Sequence, residues 1–149
     1  MTATDHAVEL VRAASLAAAD KLATDLLAFD VSEQLAITDA FLLASGANDR
    51  QVRAIVEEVE DKLRELGAKP IRREGHRDGR WVLLDYGDVV IHVQHTEERQ
   101  FYALERLWRD CPGIELPDGA HGPVGTDRAD RGDRADGPDG AVGDRPAPE

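Results

Sequence analysis

Glycine and proline are distributed very unevenly along this chain, and the change falls at Cys111. Residues 112–149 contain eight of the 13 glycines, six of the seven prolines and nine acidic residues, and they contain no aromatic residue. Such a segment cannot bury enough apolar surface to offset the conformational entropy that ordering removes. We therefore predict one folded domain over 1–111 and a disordered acidic tail, rich in Gly, Pro, Asp and Arg, over 112–149.

The part before Cys111 is large enough for one hydrophobic core, since a chain of about 110 residues buries roughly two thirds of the surface that it exposes when unfolded. No apolar run reaches the ~18 residues needed to span a bilayer, and no charged and then apolar leader opens the chain. Because Cys111 is the only cysteine, an intrachain disulfide cannot form. We expect a cytoplasmic protein with no membrane partner.

The net charge of −12 restricts the class of partner, because acidic residues outnumber Lys and Arg by 30 to 18. Proteins that bind a nucleic-acid backbone or an anionic lipid surface need clustered positive charge. We therefore expect no major direct binding to nucleic acid. An acidic surface suits a basic protein partner, or it belongs to a protein whose surface is simply negative.

The spacing of apolar residues within 1–111 predicts eight elements in the order α-β-β-α-β-β-β-α. The predicted helices lie at 5–28, 48–66 and 96–110, and the predicted strands at 29–32, 38–45, 70–74, 81–85 and 89–93. Asn48 and Gln51 have the spacing of a capping box at the start of the second helix. The predicted buried stripe of the last helix consists of Phe101, Leu104, Leu107 and Trp108. This order predicts an α/β domain with a mixed sheet flanked by helices.

The residues that most resemble catalytic or metal-binding groups have simpler interpretations. Zinc ligation by His92 and His95 would require the strand to end between them, because residues three apart on a strand face opposite sides. Asp85 and Asp88 could hold a divalent cation, but aspartates at turns commonly bond to nearby backbone. Cys111 has no His–acid partner at a suggestive spacing. We expect no catalytic residue, no metal and no cofactor.

Two aromatic residues flank the predicted hairpin: Trp81 follows a polar loop, and Tyr86 lies at the turn. Rings in such positions are often partly exposed, and exposed rings beside carboxylates are common at protein–protein contacts. Packing in the core is the alternative for each ring, and the spacing alone leaves both interpretations open.

Five segments of the chain occur in an order that is typical of one family. They are Thr38–Phe41, Ser45–Val52, Glu74-Gly75, Trp81–Val93 and Arg99–Trp108. The long run from Trp81 to Val93 is the most specific of them. On these segments the chain resembles the ribosomal silencing factor family, also called RsfS or Iojap-like, over residues 5–110.

This resemblance implies an α/β domain of nucleotidyltransferase-like topology that works as a binding protein and not as an enzyme. It also implies docking on ribosomal protein L-fourteen of the large subunit, where the bound factor sterically blocks joining of the small subunit. Translation is then repressed under nutrient limitation. Homodimers are known in the family, so a homodimer is a further possible partner. The resemblance implies nothing about the acidic tail.

The hypothesis for the docking face places it on the hairpin and its turn. Its residues are Trp81, Asp85, Tyr86, Asp88 and His92. The rings would supply contact area from which water is excluded, and the carboxylates would meet Lys or Arg of the partner.

Two other functions remain open from the sequence. Nucleotidyltransferases of this topology carry a Gly-Ser turn followed by an Asp-x-Asp pair that binds metal. Here the turn is reversed, Ser45-Gly46, and Asp85 and Asp88 are three apart, a spacing that does not put both carboxylates on one face of a strand. A Mg²⁺-dependent nucleotidyltransferase-like enzyme is the first alternative, and a dimerisation module without a ribosomal role is the second.

Overall fold

The computed structural model of the protein describes residues 2–121. Its elements, in chain order, are α1 (Asp5–Asp20), β1 (Thr24–Asp30), β2 (Ala40–Gly46), α2 (Asp49–Glu65), β3 (Arg72–Glu74), β4 (Trp81–Asp85), β5 (Val89–His95), α3 (Thr96–Tyr102), α4 (Leu104–Leu107) and a 3-10 turn (Asp118–His121). Residues 122–149, on which most of the predicted disordered tail falls, lie outside the described residues. None of the helices within 2–121 is both long enough and apolar enough to cross a membrane.

The five strands form one mixed sheet in the order β1-β2-β5-β4-β3. β2 and β5 are parallel, with Ala40 opposite Val89 and Gly46 opposite His95, while the other three pairs are antiparallel. β4 and β5 form the predicted hairpin, and its turn uses Gly87, whose φ of 87° lies in the left-handed region that favours glycine. The prediction of an α/β domain with a mixed sheet flanked by helices is confirmed.

The two long helices, α1 and α2, cover one face of this sheet. α2 begins as predicted, because the side chain of Asn48 accepts a hydrogen bond from the backbone N–H of Gln51 at 2.8 Å. The buried side of α1 consists largely of alanine, which lets the helix pack closely. Alternate residues of the strands complete the core on this face, among them Leu42, Val82 and Ile91.

The first helix ends earlier than predicted, and the first strand begins earlier. Leu22 donates its backbone N–H to the carbonyl of Ala19 at 2.9 Å and has a φ of 65°, a left-handed conformation that ends a helix. The predicted helix over 5–28 is therefore wrong beyond Asp20, and so is the start of the predicted strand over 29–32. Pairing of the β1 backbone with β2 outweighs the helical preference of a run rich in Leu and Ala.

The segment 112–121 packs on the domain, although composition predicts a disordered tail from its first residue. The backbone N–H of Ile114 donates to the carbonyl of Ala28 at 2.9 Å, which pairs the segment with the outer edge of β1. Leu116 is buried in the core between the sheet and the two long helices. The domain therefore extends past the boundary predicted at Cys111, because an open strand edge supplies hydrogen-bond partners that composition does not reveal.

Candidate protein-docking site

The second face of the sheet, opposite α1 and α2, is covered only in part. The α3–α4 elbow, residues 96–107, lies on this face, and Trp108 follows it directly. The ring of Trp108 meets Phe41 of β2 edge-on, with centroids 5.0 Å apart. Phe29, Phe41 and Leu43 form a small second core there, against which Trp108 packs. This core holds the end of the elbow on the sheet.

The elbow replaces the single helix that the sequence predicts over 96–110. Ala103, between α3 and α4, has a φ of 48°, and this left-handed residue changes the direction of the chain. Leu104 is half-buried, but Phe101 and Leu107 are 80% and 72% exposed. The prediction of a buried stripe is wrong for these two residues. The break at Ala103 was not predicted because no glycine or proline marks it in the sequence.

Three aromatic side chains form a row along the exposed side of the elbow and the start of β4. The ring centroid of Tyr102 lies 4.8 Å from that of Trp81 and 4.9 Å from that of Phe101. Tyr102 is 48% exposed, and Trp81 is half-buried. We call Trp81, Phe101 and Tyr102 the aromatic ridge. Contiguous exposed rings on a small protein are typical of a surface that binds another protein.

His92 supports the aromatic ridge from the sheet. The indole Nε1 of Trp81 donates to Nδ1 of His92 at 3.1 Å, and the imidazole meets the ring of Phe41 edge-on at 5.5 Å. Burial, and to a smaller extent the positive charge of Arg99, lowers the pKa of His92 from its ordinary 6.5 to about 4. His92 is therefore neutral at pH 7, which lets Nδ1 accept the hydrogen bond that orients Trp81.

The pH dependence of stability should report this burial of His92. Between pH 6.5 and pH 4, His92 binds a proton in the unfolded chain but stays neutral in the folded protein, where its pKa is about 4. The free energy of unfolding should therefore be highest above pH 6.5 and should decrease by up to about 3 kcal/mol as the pH falls to about 4. Urea unfolding of the wild type at a series of pH values measures this decrease.

The control for this measurement is His92→Gln, which keeps an acceptor for Trp81 but does not titrate. The difference in pH dependence between the two proteins isolates the contribution of His92. Equal losses of stability in both proteins between about pH 7 and about pH 4.5 would contradict the lowered pKa.

The two predicted carboxylates lie on or beside the hairpin turn. Asp85 projects from the same face of β4 as Trp81, and its carboxylate accepts the backbone N–H of Gly87 at 2.8 Å. The same carboxylate faces the guanidinium of Arg72 at 3.4 Å. Asp88 is exposed in the turn. Asp85 therefore bonds to nearby backbone, as aspartates at turns commonly do. The side chain of Asp88 faces solvent.

The structure places Tyr86 apart from the other predicted site residues. Its ring packs against the core beneath α1 and α2, on the opposite side of the sheet from Trp81. Burial raises the pKa of Tyr86 to about 12, and within 2–121 its hydroxyl has no hydrogen-bond partner. Of the five predicted residues, the structure brings Trp81 and His92 into contact, puts Asp85 on the same face, and leaves Tyr86 facing away.

Ser45 of the reversed nucleotidyltransferase-like turn, and His95, which was considered for zinc, have other partners. The hydroxyl of Ser45 is fully buried and accepts a hydrogen bond from Nη1 of Arg99 at 2.8 Å. Nδ1 of His95 accepts the backbone N–H of Glu97 at 3.1 Å and thereby caps α3. Among the residues that the structure describes, no three His, Cys, Asp or Glu side chains are grouped to hold a metal ion.

The sequence did not reveal the most exposed rings of this face. Phe101 was predicted to be buried, and its exposure depends on the change of direction at Ala103, which has no local signal in the sequence. Tyr102 lies next to Phe101 and shares its exposure. A mixed sheet covered by long helices on one side, with exposed rings on the other, defines a small α/β domain with a candidate docking face.

Comparison with known proteins gives the family of this domain. The family model RsfS, described as "Ribosomal silencing factor during starvation", matches residues 4–140. The chain belongs to the ribosomal silencing factor family, and the resemblance seen in the sequence is confirmed.

Individual relatives agree with this assignment. The chain is 43% identical over 110 residues to the ribosomal silencing factor RsfS of Bacillus subtilis, covering 74% of this chain and 93% of that protein. It is 34% identical over 114 residues to the chloroplastic protein Iojap of Zea mays, covering 74% of this chain and 46% of that protein. A solved structure of a Chromobacterium violaceum protein has a TM-score of 0.67 at 33% identity, covering 82% of this chain and 96% of that one. A solved structure of a Bacillus halodurans protein has a TM-score of 0.64 at 41% identity. The match covers 72% of this chain and 98% of that one.

Proposed function

We propose that this protein silences ribosomes by binding ribosomal protein L-fourteen on the large subunit and sterically preventing the small subunit from joining. Translation in the cytoplasm would then fall when nutrients are limited. The description of the matched family, silencing of ribosomes during starvation, supports this proposal. So does a mouse relative named "Mitochondrial assembly of ribosomal large subunit protein 1", which is 30% identical over 89 residues, 58% of this chain and 39% of that protein. Blocking a surface needs binding and no chemical step.

The observation that carries the proposal is the exposure of the aromatic ridge. Phe101 is 80% exposed although most large apolar side chains of the domain are buried. Aromatic residues near the centre of an interface contribute most of its binding energy when a partner excludes water from them. Because Trp81 is held by His92 at 3.1 Å, its ring is already oriented before binding, so little side-chain entropy is lost on docking.

Charge supports a basic partner for this surface. The chain carries a net charge of −12, and a ribosomal protein that lies among RNA is expected to be basic. Asp88 in the hairpin turn is an exposed carboxylate that a basic partner could meet. Such complementarity speeds association and excludes wrong partners more than it increases affinity.

The proposed docking surface differs in part from the one predicted from the sequence. Trp81, Asp85 and Asp88 remain in it, and Phe101 and Tyr102 are added. His92 is proposed to act through Trp81, because it is itself buried. Tyr86 is left out, because its ring packs on the other side of the sheet.

Light scattering of mixed large and small ribosomal subunits in Mg²⁺ tests the proposal. We expect joining to be blocked when the protein is first incubated with large subunits. Protein added only after the two subunits have joined should give no such block, because the small subunit then covers the proposed docking surface on the large subunit. Normal joining in the presence of folded protein that has been mixed with large subunits would overturn the steric mechanism.

Self-association is the second candidate, and it has the same observation in its favour. An exposed apolar patch that can dock on a partner can also dock on a second copy of the chain. Static light scattering across a range of protein concentrations distinguishes the two. A stable dimer whose formation is abolished by Phe101→Asp, together with no binding to large subunits, would favour the dimerisation module.

A further inference from the structure

Arg99 occupies an unusual position for a charged residue. Within α3 as the structure describes it, Arg99 is the buried residue, with 4% of its surface exposed. Its Nη1 donates to the hydroxyl of Ser45 at 2.8 Å, and its Nε donates to the carboxylate of Glu105 at 3.0 Å. One guanidinium therefore joins α3 to β2 and to α4.

The sheet beneath Arg99 is polar and offers the elbow little else to bind. Ser45 and Gln94 are partners in the register of β2 and β5, and both are fully buried. The side-chain amide of Gln94 has no hydrogen-bond partner among the described residues. At this end of the elbow Arg99 bonds directly to the sheet, and Arg80 pairs with Glu97 and Glu98 at 2.9 and 2.8 Å, while Trp108 holds the other end.

The helices of the elbow are too short to keep their own geometry. α3 has seven residues and α4 has four, and none of the four is buried. Helices of this length are unstable in isolation, because they form too few hydrogen bonds to offset the conformational entropy lost in the first turn. The left-handed residue Ala103 between them donates its backbone N–H to the carbonyl of Arg99 at 2.9 Å, a bond that ends α3 but does not hold α4 on the sheet. Contacts outside the helices must therefore fix the elbow.

We infer that Arg99, by bridging Ser45 and Glu105, is a positioning residue that holds the aromatic ridge in the geometry that the ribosomal partner recognises. This inference rests on the proposed function. Phe101 and Tyr102 follow Arg99 directly along the chain, so a rotation of the elbow about its attachment would carry both rings away from Trp81.

The chemistry of the bridge favours positioning over stability alone. A buried ion pair can often be replaced by apolar residues of similar volume with no loss of stability, because removing the charges from water has a large cost. What an apolar replacement cannot reproduce is the direction of two hydrogen bonds from a rigid, planar guanidinium. Loss of the bridge should therefore affect binding more than folding.

The test replaces the whole bridge, with Arg99→Met, Ser45→Ala and Glu105→Gln combined so that no buried partner is left unpaired. We expect this triple variant to melt within about 4 °C of the wild type. Its affinity for isolated large ribosomal subunits, measured by sedimentation, should fall by about tenfold or more. Amide hydrogen exchange within 96–108 should become at least about tenfold faster. The control is Arg64→Met, which removes an exposed arginine paired with Asp61 on α2 and should change none of these values.

A milder variant keeps the test decisive if the triple variant unfolds. Glu105→Ala changes a partly exposed side chain and removes the acceptor from one arm of the bridge, which a glutamine would keep. We expect it to bind large subunits about threefold more weakly and to show faster exchange in the elbow. Wild-type affinity and wild-type exchange in Glu105→Ala would overturn the inference, as would wild-type affinity in a folded triple variant.

Binding of the wild-type protein to large subunits distinguishes failure of the proposed function from failure of the inference about Arg99. If the wild-type protein itself does not bind large subunits, the proposed function is overturned, and the docking role of Arg99 with it. If the wild type binds and the variants bind equally well, only the role of Arg99 is overturned.

Discussion

Replacing Phe101 by aspartate is expected to lower the affinity of this protein for large ribosomal subunits by about 100-fold, equivalent to roughly 2.7 kcal/mol. Phe101 is 80% exposed, and its ring centroid lies 4.9 Å from that of Tyr102. A carboxylate at this position would have to lose its hydration in the interface without a partner selected to pair with it. Co-sedimentation of the purified variant with large subunits measures the effect, and subunit joining should recover in parallel.

The matched control is Ile37→Asp. Ile37 is 82% exposed, lies between β1 and β2, and precedes β2 at the end remote from α3. Both variants exchange an exposed apolar side chain for the same charge, so they change solubility and net charge alike. Neither should alter the free energy of unfolding by more than about 0.5 kcal/mol. Equal affinities of the two variants would show that the aromatic ridge does not contact the ribosome.

The central part of the fold follows from local patterns in the sequence. α2 was predicted within a residue or two at each end, because Asn48 caps it and its apolar residues recur with the helical period. The β4–β5 hairpin was predicted for a similar reason, since Gly87 permits the turn between two apolar runs. Each of these elements has its own start, stop and period in a short stretch of chain.

Both main errors arise where a feature with no local signal in the sequence decides the conformation. Residues of β1 were assigned to a helix because Leu and Ala favour one, yet pairing with β2 decides their conformation. Phe101 was placed in the core because its spacing from Leu104 is helical, yet the left-handed conformation of Ala103 turns it outward. Neither the pairing of β1 with β2 nor the left-handed conformation of Ala103 has a signal in the residues whose placement it decides.

The candidate site could be predicted only to the extent that it is local. Trp81 and Asp85 share a face because they lie on one short strand, and the hypothesis for the docking face named both of them. The same reasoning could not find that His92 is buried beneath Trp81 or that Arg99 reaches Ser45 across the sheet. Those contacts join residues that are 11 and 54 positions apart in the chain.

A chain that ends at Cys111 is expected to lose about 4 kcal/mol of its free energy of unfolding, although composition alone marks everything after this residue as dispensable. Ending there removes Leu116 and Ala120 from the core and removes the hydrogen bond from Ile114 to the β1 backbone. Deleting a buried leucine leaves a cavity or exposes its neighbours to water. The open edge of β1 would also become available for pairing between molecules, so aggregation should accompany the loss of stability.

The control is a chain that ends at His121, which keeps every described contact and removes residues 122–149, seven of which are acidic. Urea unfolding should give this shorter protein a free energy within about 0.5 kcal/mol of the full chain. Because residues 112–121 bond to β1 and pack on α1, the stability lost between the two end points measures what this segment contributes. If the chain ending at Cys111 were as stable as the full chain, the packing of Leu116 would contribute nothing, and the original boundary would stand. A destabilised chain ending at His121 would instead assign a structural role to the tail.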